Sequence, residues 1–79
     1  MYLAAVSDAE SQLQQAEKDN AKSYAAYEYY AAESYVDKAR EEASEGHYED
    51  AVEYASRAEA LAKRARQRAG YQSASEGGR

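Results

Sequence analysis

Apolar positions recur every three to four residues along most of the chain, and the polar residues fill the gaps. Tyr2, Val6, Ala9, Leu13 and Ala16 step by 4, 3, 4 and 3, which is one face of an α-helix. Asp8, Glu10, Gln14, Gln15 and Lys18 fall largely on its other faces. From about Ser23 to Glu45 the pattern resumes, with Ala25, Tyr29, Ala32, Val36, Ala39 and Ala43 in register. A second stripe, Tyr24, Tyr27, Ala31 and Tyr35, lies roughly 100° round the same helix. Two adjacent apolar stripes suit a helix with two neighbours, so this segment is expected to be the middle helix. A third run, Tyr48, Ala51, Ala55, Ala58, Ala62, Ala65 and Ala69, keeps the spacing, and Val52, Tyr54 and Leu61 widen its face.

These runs predict helices over about 2–19, 23–45 and 48–69. Together they make an all-α fold, an antiparallel three-helix bundle over residues 1–70. The second turn is well marked. Gly46 can take the left-handed conformation that ends a helix, His47 falls at the N-cap of the third helix, and Asp50 can accept from its first-turn amides. The first turn rests on Asp19-Asn20, with Ser23 as cap of the next helix, and the break is expected between Lys18 and Ser23. No Gly or Pro enforces it. The alternative is one long first helix, from residue 3 to 45, that pairs with the last helix in a coiled coil or exchanges between chains. After Gly70 the run "YQSASEGGR" loses the periodicity, and residues 71–79 read as a disordered tail or linker.

Composition narrows the chemistry. The chain has 79 residues, nineteen of them Ala, with no Pro, Cys, Phe or Trp. Without Cys it has neither a disulfide nor a thiolate metal site. All nine aromatics are Tyr. The net charge of −5 argues against nucleic-acid binding. No apolar run approaches the roughly 20 residues that span a bilayer, and no signal peptide is visible; a targeting segment would lie upstream. His47 is the sole histidine and sits in a turn. Asp37, Glu41, Glu42 and Glu45 form a solvated acidic face, because paired carboxylates do acid–base work only in a cleft that shifts their pKa. Lys63, Arg64, Arg66 and Arg68 complement the dipole at the end of the last helix, and Glu49, Asp50 and Glu53 complement its start. Glu53–Arg57 and Glu59–Lys63 are favourable i,i+4 pairs. These features predict no enzymatic activity, no cofactor and no metal.

The tyrosines divide into two groups. Tyr24, Tyr29, Tyr35, Tyr48 and Tyr54 lie on the apolar stripes and are expected to pack, ring bodies against Ala and hydroxyls toward water. Ala32, Ala39, Ala55 and Ala62 form the seam between the second and third helices, with Tyr35 and Tyr54 closing its sides. Tyr27 and Tyr30 are the candidate interface, and Tyr30 points away from both stripes. Tyr is enriched in binding patches, so a protein partner or self-association is expected there.

The successive segments "AESQLQQAE", "SYAAYE", "AESYVDKARE" and "GHYEDAVEYASRAEALAKRA" resemble a bacterial helical domain of unknown function found in envelope lipoproteins, often ahead of an OmpA-like peptidoglycan-binding domain. The residues that carry the likeness are Ala9, Glu10, Tyr24, Ala25, Ala39, Arg40, Tyr48, Ala51, Ala55 and Ala58, over about residues 8 to 66. Ala26 stands where that family commonly has Pro, which weakens the first turn. The resemblance implies a non-enzymatic structural or protein–protein interaction module of the cell envelope, periplasmic or associated with the outer membrane, with an upstream lipid anchor.

A weaker similarity joins residues 32 to 61 to one tetratricopeptide repeat, through Gly46, Tyr48, Ala51, Tyr54 and Ala58. Lys38 and Ala39 depart from it where the repeat prefers Leu and Gly, and such repeats need neighbours. It implies a peptide-binding adaptor. A self-assembling helical protein, natural or designed, is the third reading.

Overall fold

A computed structural model of the chain describes residues 2–77. They form α1 (Tyr2–Lys18), a single turn α2 (Ala21–Tyr24), α3 (Ala26–Ser44) and α4 (Tyr48–Gly77). The fold is all-helical, with no strand among the described residues. The chain makes a rod 51 Å long and 18 by 14 Å across.

The interior is built almost entirely from methyl groups. Among the described residues twelve of the fifteen buried apolar ones are Ala, and the others are Val6, Val36 and Tyr29. Val6 clusters with Ala39 and Ala55, Ala9 with Val36 and Ala58, and Ala16 with Ala21, Ala25, Tyr29, Ala65 and Ala69. Rising positions on α1 thus meet rising positions on α4 and falling ones on α3. The helices α1 and α4 run parallel, and α3 runs antiparallel to both. Ala side chains let helix axes approach to the near end of the usual 8–10 Å range. Leu13 bridges two of the clusters. The Tyr2 side chain lies outside the described residues.

The role of best-flanked helix falls to α4 and not to the expected α3. The helix α4 packs along both long partners, while α1 and α3 meet over a shorter length. The cause is its stripe: Ala51, Ala55, Ala58, Ala62, Ala65 and Ala69 are all fully buried, so both partners can close on it.

The break after Lys18 is present and takes a form the sequence did not predict. Asn20 adopts the left-handed conformation, at φ 64° and ψ 32°, which Asn tolerates better than most residues. Its amide donates to the Glu17 carbonyl at 3.0 Å. The next helix starts at Ala21, runs one turn and breaks again at Ala25, at φ −144° and ψ 53°. Ser23 therefore lies inside α2 and caps nothing. Neither Asn20 nor Ala25 makes a side-chain cap bond.

At the other turn Gly46 has φ 82°. The His47 amide reaches back to the Glu42 carbonyl at 2.8 Å, and the Gly46 amide to Ala43 at 3.0 Å. That pair of bonds is the Schellman closure of a helix C-terminus. At the far end α4 runs through Gly70 to Gly77, past the residue 69 predicted as its end. A Gly inside a helix costs only about 1 kcal/mol relative to Ala, and no Pro follows it. Residues 78 and 79 of the expected tail lie outside the described residues.

Candidate functional site

The helix α3 carries two unlike faces. Its inner face buries Tyr29, Ala32, Val36 and Ala39. Tyr29 is 5% exposed and sits in the cluster with Ala65 and Ala69, with Tyr24 packed part-buried against it. Tyr35 of α3 and Tyr54 of α4 stack with centroids 5.9 Å apart and planes at 24°. Arg57 lies over both rings, at 6.0 and 5.9 Å, and Lys38 over Tyr54 at 5.9 Å. These two rings stack together and wall the Ala seam at one side, where the spacing predicts that they close its sides. Tyr48 does not join them. It is 54% exposed, because it opens α4 at the hairpin tip, beyond the end of α3, where no helix covers it.

The outer face holds the two candidate interface residues. Tyr27 is 76% exposed and Tyr30 50%. With Ala26, Ala31 and Ser34 they line a shallow, mainly apolar depression. The Tyr30 ring stands edge-on to Tyr29, centroids 5.3 Å apart at 90°. That contact restrains the outer ring through a neighbour fixed in the core. Tyr30 is exposed, as its position away from both stripes predicts, whereas the second stripe, expected to meet a neighbouring helix, does not pack at Tyr27. A short apolar hollow and two presented rings can take up a protein surface.

The α3–α4 turn brings together three donors that sequence reading missed as a group. Ligand atoms of Glu42, His47 and Asp50 all lie within 4.8 Å of one another, and His47 Nδ1 is 3.3 Å from Glu42 Oε1. The signal was present as Glu-x4-His-x2-Asp across Gly46. It is readable only once Gly46 is known to fold the chain back in the Schellman closure. His47 and Asp50 are exposed, so water competes for every donor, and the contacts act as a cap on the turn. The carbonyl of His47 accepts from the Ala51 amide at 2.9 Å, which is the N-cap role predicted for it.

The cations near the end of α4 are tied to the bundle. Arg66 donates to Asp19 at 3.2 Å and Gln12 at 2.8 Å, holding the first turn against α4. Arg68 grips both oxygens of Glu28 at 3.0 and 2.9 Å. The first-turn amide of Glu28 itself holds its carboxyl below the ordinary range, with help from Arg68. Arg40 pairs with Glu10 and joins α3 to α1. Lys22 donates to Glu17 at 2.9 Å, and that hydrogen bond raises the Lys22 pKa. Burial raises the Tyr29 phenol. The predicted pairs Glu53–Arg57, at 2.6 Å, and Glu59–Lys63, at 3.8 Å, are both present.

This geometry defines a helical rod that exposes four tyrosines among the described residues, Tyr27 and Tyr30 on α3 and Tyr48 and Tyr71 on α4. Among the described residues no helix is long and apolar enough to cross a membrane. Residues 4–76 match a domain of unknown function (DUF4398), and the chain belongs to that family. No curated protein and no solved structure proved similar to it.

Proposed function

We propose that this domain is a non-enzymatic interaction module, an up-down-up three-helix unit that binds protein through the outer face of α3. The observation that carries the reading is the exposure of Tyr27 and Tyr30 beside the hollow of Ala26, Ala31 and Ser34. A helix face that only meets water is expected to carry charge there, as the later part of α3 does with Asp37 and Glu41. Rings that the core does not need lose little conformational entropy on binding, and Tyr supplies both an apolar body and a hydroxyl to a partner. The cell envelope is the setting we propose, from the likeness of the helical motifs to domains of envelope lipoproteins.

A photo-crosslinking residue at Tyr27 or Tyr30, in the full protein in living bacteria, tests the reading. A discrete adduct is expected from these sites and not from the exposed Ala60 on α4, and it is expected in the envelope fraction. Equal labelling from Ala60, or no adduct from either tyrosine, would overturn it. The tetratricopeptide-like adaptor is less favoured, because α1 lies along the α3–α4 hairpin where a repeat array would stack its next member.

A further inference from the structure

We draw no further inference here: the strongest candidate, the Glu42–His47–Asp50 cluster at the α3–α4 turn, is two carboxylates and one imidazole at the start of a helix, with His47 and Asp50 open to water, and no second feature among the described residues points to a ligand there.

Discussion

The two faces of α3 reverse the usual allocation of large and small side chains. Toward the core α3 presents Ala32, Ala39, Val36 and one ring, Tyr29; toward water it presents Tyr27 and Tyr30. A helix stabilised by burying large residues would do the opposite. Stability here comes from closeness. The Ala stripes of α3 and α4 bring backbones together, dispersion acts over many short contacts, and the Tyr35–Tyr54 stack seals one side. The outer rings add little to that. The inner face is closed by small side chains with little exposure, while the outer face has rings that the fold can lose.

The largest test of that contrast is to remove the one large residue inside. Tyr29→Ala should cost about 3 kcal/mol, since truncating a buried aromatic typically costs 3–5. A domain this small holds only about 3–5 kcal/mol, so about 0–2 kcal/mol should remain, and urea melts followed by circular dichroism should show a midpoint shifted close to zero urea. A cooperative melt within about 1 kcal/mol of the parent would mean that the α1–α3–α4 cluster round Ala65 and Ala69 carries little of the stability.

Next in size is the opposite change, added volume where none is free. Ala39 and Ala55 are fully buried against Val6 and against each other's cluster. Either replaced by Leu should destabilise by about 1–3 kcal/mol, because the helices must part to admit the methylenes. Stabilisation by Ala39→Leu in a thermal melt would show the seam to be under-packed, and closeness would no longer explain the fold.

A smaller and stabilising change sharpens the comparison at the start of α3. Ala26 is the first residue of α3, the N1 position, and Ala25 before it lies outside the helical region at φ −144°. Pro is pre-organised for N1 and gives up no helix bond there, and the preceding residue already avoids the conformation that Pro disfavours. Ala26→Pro should therefore stabilise by about 0.4–1 kcal/mol through the unfolded chain. A loss of stability in the same melt would mean that the Ala26 amide has a partner or that Ala25 cannot tolerate the ring.

That position also shows what the sequence could and could not convey. The three Ala stripes, the Gly46 turn and the solvent-facing Tyr30 were legible, because period and residue type specify them directly. The second break at Ala25 was not. Asp19 and Asn20 announce one turn, whereas Ala25 leaves the helical region with no residue signal of its own, and Ala26 after it carries none either. The exposure of Tyr48 was hidden for a different reason. Its place on the stripe is correct, but a stripe does not say where its neighbouring helix stops. The Glu42–His47–Asp50 group depends in the same way on a turn geometry that must be known first.

Alkaline pH tests the inner face by charge. Burial raises the Tyr29 phenol, and the Glu17 hydrogen bond raises Lys22. A group whose folded pKa is raised contributes stability that is complete below its unfolded pKa and is lost as pH rises through the folded value. Both contributions are therefore present at neutral pH and fade above about pH 10, near the reference values of Tyr and Lys. The melting temperature should fall over that range, and Tyr29→Phe should flatten part of the fall. An unchanged slope in Tyr29→Phe would assign the alkaline loss to other groups.

The smallest expected effect belongs to the outer face itself. Tyr30 is half exposed and makes one edge-on contact with Tyr29. Aromatic pairs contribute about 0.5–1.5 kcal/mol beyond area burial, and neighbours on one exposed helix belong at the low end of that range. Tyr30→Ala at dilute protein should thus cost about 0.5 kcal/mol, well below the buried changes above. Tyr27→Ala should cost no more, since that ring is more exposed still. Both values come from urea melts at micromolar protein. A Tyr30→Ala cost near that of Tyr29→Ala would mean that the outer ring holds the inner one in place. The division between a face that folds the domain and a face that is free to bind would then fail at its centre.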